Sequence, residues 1–184
     1  MPEQTALTYA NLAAFPDDGL RRELLDGELI VSPSPRTRHQ EIVGRLHLVF
    51  GNHVAAHGGG RVFIAPLDVL LSDTNVVEPD LFFVADRDDG IVGELNVAGV
   101  PTLVIEVLSQ PRIDRVRKRD VYARFGVPEY WIVDPDSDWV EIYRLVGAAG
   151  AGRYAKPEIR QPDETLAYEG LPGLAIDLSA LFAR

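Results

Sequence analysis

The spacing of apolar positions changes several times along this chain, and each change marks an element. From Arg21 to Val31 the order is Arg-Arg-Glu-Leu-Leu-Asp-Gly-Glu-Leu-Ile-Val. The Asp26-Gly27 pair between apolar residues predicts a two-residue turn and a β-hairpin. A short helix over Leu7–Phe15, stopped at Pro16-Asp17-Asp18-Gly19, precedes it. Ser32-Pro33-Ser34-Pro35 ends the second strand. Over His39–Ala56 the spacing becomes helical, with Ile42, Val43, Leu46, Val49 and Phe50 on one face, and Gly58-Gly59-Gly60 stops it. Strand-like runs follow at Val62–Leu71, Val76–Val84 and Thr102–Leu108, with a polar, glycine-containing loop over Ala85–Val100 between the last two. Arg112–Phe125 predicts a second long helix closed by Gly126. Glu129–Val133 and Trp139–Val146 predict two more strands around the turn Asp134–Asp138, which the Asp134 side chain is expected to cap. Gly147–Gly152 reads as a loop tip, and the tail as a strand followed by a short helical turn at Leu178–Phe182. Strands, a helix, then strands again predict an α/β fold built on a mixed central sheet flanked by helices.

At 184 residues the chain is expected to form one domain. It lacks cysteine, which excludes disulfides and thiolate metal sites. No apolar run approaches the roughly 20 residues that span a bilayer, and the first residues do not read as a secretory signal, so no membrane role and a cytoplasmic location are expected. The net charge of −10 argues against simple nucleic-acid binding. The charge is uneven, however. Residues 30–62 hold Arg36, Arg38, Arg45 and Arg61 against Glu41, and residues 107–127 hold Arg112, Arg115, Arg117, Lys118, Arg119 and Arg124 against Asp114 and Asp120. These are either a basic face able to meet DNA, through Arg36, Arg38, Arg112 and Arg115, or two solvated helices.

Candidate chemistry centres on two carboxylates and a lysine. Glu106 sits in the apolar run Leu103–Leu108, where an unpaired carboxylate costs several kcal/mol, of order 2–7 and upward. It is expected to be paired, protonated or bound to a cation. Asp80 opens a neighbouring run. Mg²⁺ takes hard oxygen ligands and retains waters, so one or two carboxylates suffice, with the Val107 carbonyl as a further donor. Mn²⁺ is the expected substitute. Phosphodiester hydrolysis uses such an ion. The chain has 16 arginines and two lysines, and one of those lysines is Lys118. On a helical projection it shares a face with Asp114, Val121, Tyr122 and Phe125. Lys118 serves either the site, by orienting the attacking water, or a structural ion pair. His39 follows Arg36 and Arg38 at a helix start, where anions bind readily. His53 and His57 lie four apart as a possible zinc pair or a solvated face, without a convincing third ligand. Tyr130 and Trp131 are expected in the core.

The stretches RRELLDGELIVSPSPRTRHQ, VVEPDLFFV, PTLVIEVLSQPRIDRVRKRDVYARFGVPEYWIVDPD and LPGLAIDLSALF, with GVPEYWIVDP the most specific, resemble the Uma-two family of restriction-endonuclease-like proteins within the PD-(D/E)XK nuclease superfamily. The resemblance implies a restriction-endonuclease-like domain over 1–184: an N-terminal hairpin region at about 20–32, a nuclease core at about 38–146, and a C-terminal strand and short helix at about 153–184. It implies a Mg²⁺-dependent endodeoxyribonuclease, with Asp80 and Glu106 as metal ligands and Glu23 as a further acidic residue; it also singles out His39. The superfamily carries lysine two residues after the glutamate; here Leu108 stands there, and the family reading places the lysine on the next helix, at Lys118. DNA is the implied partner, duplex or branched, with RNA a further possibility, and a homodimer is the implied assembly. A non-catalytic module that keeps the fold is the competing reading.

Overall fold

The computed structural model describes residues 6–16, 18–109, 113–147 and 150–184. In chain order the elements are α1 (Tyr9–Leu12), β1 (Arg21–Leu25), β2 (Glu28–Ser32), α2 (Thr37–His57), β3 (Gly60–Ile64), β4 (Val69–Ser72), β5 (Asn75–Val77) and β6 (Leu81–Ala85). A 3-10 turn at Asp86–Ile91 follows, then β7 (Leu103–Val107), α3 (Ile113–Phe125), β8 (Glu129–Asp134) and β9 (Trp139–Val146). The tail adds β10 (Arg153–Tyr154), β11 (Glu158–Arg160), β12 (Thr165–Ala167), β13 (Ala175–Asp177) and α4 (Leu178–Leu181).

The expected hairpin forms as β1 and β2, in register from Arg21 opposite Ser32 to Leu25 opposite Glu28. Its turn takes φ of 54° at Asp26 and 76° at Gly27, the two positive angles a tight hairpin needs and an Asp-Gly pair tolerates. Asp134 caps its turn as expected, accepting hydrogen bonds from the Asp136 and Ser137 N–H groups. The first helix is shorter than its apolar pattern predicts, and the helix start expected at Arg112 lies outside the described residues.

Two expected strands break in the middle. Val62–Leu71 divides into β3 and β4 at Ala65-Pro66, and Val76–Val84 divides into β5 and β6 at Glu78-Pro79-Asp80. Proline lacks the N–H that an interior strand donates, so each proline marks where the ladder stops. Here it also marks where the chain changes sheet. The central sheet runs β10-β9-β8-β7-β6-β3, with β11 also on β9; β4 and β5 belong to a four-stranded sheet ordered β2-β1-β5-β4. The chain leaves the central sheet at Pro66 and returns at Pro79, and the crossings lie side by side, with Ala65 N–H on the Asp80 carbonyl. Asp80 therefore stands at the junction of the two sheets.

Alternation along the strands divides the central sheet into two faces. Leu81, Phe83, Leu103, Ile105, Trp131 and Val133 point to the α2 side and pack with Ile42, Leu46 and Phe50 and the C-terminal residues Tyr168, Leu178 and Phe182. Phe82, Val84, Val104, Tyr130 and Ile132 point to the other side, where they meet Val121 and Tyr122 of α3 and Leu25, Val69 and Val77 of the smaller sheet. Among the described strands only β7 and β8 pair in parallel, joined across α3. Tyr130 and Trp131 are fully buried, as expected. His53 and His57 stack on each other with ring centroids 4.5 Å apart, and among the described residues no metal-binding group forms there.

Candidate active site

The site is built where β1, β6, β7, α2 and α3 approach one another. Arg21 and Glu23 are two apart on β1, so they project to the same side; Asp80 precedes β6; Glu106 lies on β7; His39 is in the first turn of α2; Lys118 and Tyr122 are one turn apart on α3. Glu23, His39, Asp80, Glu106 and Lys118 are all buried. The structure thus gathers Glu23, Asp80, Glu106 and Lys118, which sequence reasoning had placed on four separate elements.

Each carboxylate has definite partners. Asp80 Oδ2 accepts the Val107 N–H at 2.8 Å and the His39 ring Nε2–H at 3.1 Å, and Oδ1 accepts Arg21 at 2.8 Å. An ionised carboxylate only accepts, so Nε2 carries the histidine proton. Glu106 Oε1 accepts from Lys118 Nζ at 3.0 Å and from the Tyr122 hydroxyl at 2.8 Å. Glu23 Oε1 accepts the Glu78 N–H at 2.8 Å. Its Oε2 lies 2.8 Å from Lys118 Nζ, an ion pair by distance but not aligned as a hydrogen bond. Arg21 Nη2 donates to the Glu78 carbonyl and stands 3.6 Å from both Glu23 Oε1 and Glu106 Oε2.

Three carboxylates thus face two permanent cations. Burial pushes every carboxyl toward its neutral form, and the neighbours decide which one yields. For Glu23 the Lys118 and Arg21 charges overcome burial and hold the pKa below its ordinary value. For Asp80 the His39 hydrogen bond and the Arg21 charge do the same, lowering it to about 2. Glu106 goes the other way: burial, with the Asp80 charge adding to it, outweighs Lys118 and raises its pKa. Lys118 is held protonated against burial by Glu106 and Glu23. Burial and the nearby Glu106 charge raise Tyr122, which stays a neutral donor. At the rim, burial pushes Glu78 up to about 7 against the attraction of Arg21.

A cleft of about 530 Å³ opens onto this cluster. Arg21, His39, Glu78, Asp80, Glu106 and Lys118 line it, with Tyr130 and the Ser32–Pro35 segment. The donors are of the hard oxygen type a divalent cation takes: Asp80 Oδ1 and Glu106 Oε2 approach the two ends of the Arg21 guanidinium, at 2.8 and 3.6 Å. Among the described residues no three His, Cys, Asp or Glu side chains form a ready metal cage.

Two expectations about basic residues change. Arg38, expected free on the surface, donates to the carbonyls of Phe182 and Ala183 at 2.6 and 2.8 Å and so braces the chain beyond α4. His39, expected to face anions at a helix start, is buried against Asp80. Arg36 is exposed at the N-cap of α2. Arg112 and the Arg115 side chain lie outside the described residues. Sequence reasoning missed Arg21, Tyr122 and Glu78 as members of the cluster. The signal for Arg21 was present, since period-two spacing puts it on the same strand face as Glu23.

Comparison with known proteins agrees with this architecture. The chain overlays a crystal structure of a "putative nuclease belonging to DUF820" from Anabaena variabilis ATCC 29413 with a TM-score of 0.79 and 20% identity, covering 96% of this chain and 98% of that one. At that identity the likeness establishes a shared nuclease-like fold. No curated protein matches. The sequence profile of the Uma2 family, described as "putative restriction endonuclease", matches residues 8–179. A match over nearly the whole length makes the chain a member of the Uma2 family.

Proposed function

We propose that the protein is a divalent-metal-dependent endonuclease that hydrolyses phosphodiester bonds in DNA, with Asp80 and Glu106 holding Mg²⁺ or Mn²⁺. The observation that carries this reading is the convergence of Asp80, Glu106 and Lys118 in an open cleft, with Glu23 buried against Lys118, in a chain of a family described as "putative restriction endonuclease". When bound, the ion supplies Lewis acidity toward a phosphoryl oxygen and acidifies a water.

The protein's own groups prepare that chemistry. The Val107 N–H and His39 fix the plane of the Asp80 carboxylate. Tyr122 and Lys118 both engage Glu106 Oε1 and leave Oε2 toward the cleft. Lys118, permanently charged and held between two carboxylates, orients the attacking water and offsets negative charge as it develops on the phosphate. Its place on α3 supplies the cation that Leu108 cannot. Glu23 sets the position of Lys118. Arg36, exposed at the N-cap of α2, brings phosphates to the mouth. Two copies, each cutting one strand, are the assembly such an enzyme uses on duplex DNA.

The test is cleavage of supercoiled plasmid, linear duplex, single-stranded and branched DNA, and RNA, with Mg²⁺ or Mn²⁺, by the wild-type protein, Asp80→Asn and Glu106→Gln. Metal-dependent nicking that both substitutions abolish is expected. Absence of cleavage on every substrate, with no metal bound, favours the non-catalytic module instead.

A further inference from the structure

Arg21 has a position that the proposed chemistry does not use. Its guanidinium makes a charge-assisted hydrogen bond to Asp80 Oδ1 at 2.8 Å and lies 3.6 Å from Glu106 Oε2, so it bridges the two carboxylates assigned to the metal. It also stands 3.6 Å from Glu23 Oε1 and donates to the Glu78 carbonyl. Its Nε is buried without a partner. Arg38 and Arg160 leave the same nitrogen unpaired, so what sets Arg21 apart is that it faces three carboxylates at once. Its side chain keeps 23% of its surface exposed, against 1% for Glu23 and 4% for Asp80. Arg21 therefore keeps the more exposed side chain in the cleft that it lines together with Glu78, Asp80 and Glu106.

We propose that Arg21 is a resident counter-cation that competes with the divalent metal for the Asp80–Glu106 pair. Without metal, its planar fork offsets the repulsion of the two carboxylates and keeps the site assembled. A divalent ion between the carboxylates cannot share that place with a guanidinium, because both are cations needing the same oxygens. Metal entry turns Arg21 outward along its exposed side, where its fork meets an oxyanion of the substrate backbone. The inference rests on the metal-site reading above. It adds that metal affinity is set down by a residue of the chain itself.

The experiment is Mn²⁺ titration followed by electron paramagnetic resonance, with thermal melting in EDTA and in saturating Mn²⁺, on the full chain and on Arg21→Gln. The variant is expected to bind Mn²⁺ about tenfold more tightly, within the range of coupling typical of sites that share ligands. It should melt lower than wild type in EDTA, and Mn²⁺ should raise its melting temperature by more than it raises that of wild type. Should Arg21→Gln not fold in EDTA, Arg21→Lys keeps a charge but loses the fork, and a smaller gain in affinity is expected. Affinity equal to or weaker than wild type in a folded variant overturns the proposal while leaving the metal site standing. Mn²⁺ bound by neither protein overturns both.

Discussion

The two faces of the central sheet come from the same strands, yet they solve different problems. On the α2 face the buried positions are apolar or aromatic apart from Glu129, which accepts the Trp131 indole N–H at 2.6 Å; Trp131 meets Phe50 edge-on at 5.9 Å, and packing dominates the layer. On the α3 face the same alternation delivers Val104 and then Glu106, Phe82 and, just before its strand, Asp80. That face grades from a tyrosine-rich core, with Tyr122 and Tyr130 at 5.0 Å, into the buried charge cluster. The difference teaches that burial has opposite uses across one sheet. On one side it stabilises. On the other it makes carboxylates and cations depend on each other, so the site is held by electrostatics.

Truncation on each face sharpens the contrast most. Trp131→Ala is expected to destabilise by about 3–5 kcal/mol through the cavity it leaves. Lys118→Met is expected to destabilise by a similar amount, about 3–5 kcal/mol, because it strands Glu23 and Glu106 without their cation. Adding Glu106→Gln should recover part of the Lys118→Met loss and none of the Trp131→Ala loss, as measured by urea denaturation of the single and double variants. A Lys118→Met loss that Glu106→Gln leaves unchanged would mean that the lysine stem packs rather than pairs.

On activity, Lys118→Ala is expected to slow cleavage by roughly 10²–10³-fold while retaining Mn²⁺. Asp80→Ala should lose both. Parallel loss of metal in the two variants would break the division of labour assigned to them.

The pH dependence of stability separates the cluster from the core. The Asp80 pKa falls from 3.8 to about 2 on folding, so its contribution is present above about pH 4 and is lost as pH falls through about 2. At about 1.4 kcal/mol per pH unit this amounts to about 2 kcal/mol, and Asp80→Asn should lack that part of the acid slope in thermal melts. Glu78 has the reverse sign. Its pKa rises from 4.5 to about 7, so its favourable contribution is present below about pH 4.5 and is lost as pH rises through 7. Glu78→Gln should therefore melt higher than wild type above pH 7 and much the same below pH 4.5.

The smallest expected effect is at the surface. Replacing Arg36 by Gln should lower the log-log salt slope of DNA binding by about 0.9 if it contacts one phosphate. Arg38→Gln should instead lower the melting temperature, since its guanidinium is bound to the C-terminal carbonyls.

Much of this was legible in the residues. The Asp26-Gly27 turn, the α2 stripe and the β8–β9 hairpin are local patterns with local causes, and the structure places them within a residue or two. Glu106 in an apolar strand and the rare Lys118 on a helix announced themselves by their cost, and they pair. What stayed hidden depends on contacts distant in the chain. Both prolines stood inside runs read as single strands; neither the break nor the change of sheet at each was foreseen, because sheet membership is decided by partners such as Val76 opposite Leu24. Arg38 and His39 were adjacent basic residues at a helix start; only the fold sends one to the C-terminus and the other to Asp80. The hairpin of β12 and β13 was missed because its strands are three residues each, too short for a period.

The most direct test of the central claim is a crystal structure of the protein soaked in Mn²⁺, with anomalous scattering collected for the metal. The account predicts a peak between the carboxylates of Asp80 and Glu106, with the Arg21 guanidinium moved away from both. Saturating Mn²⁺ with no peak there, and Arg21 still hydrogen-bonded to Asp80, would contradict it.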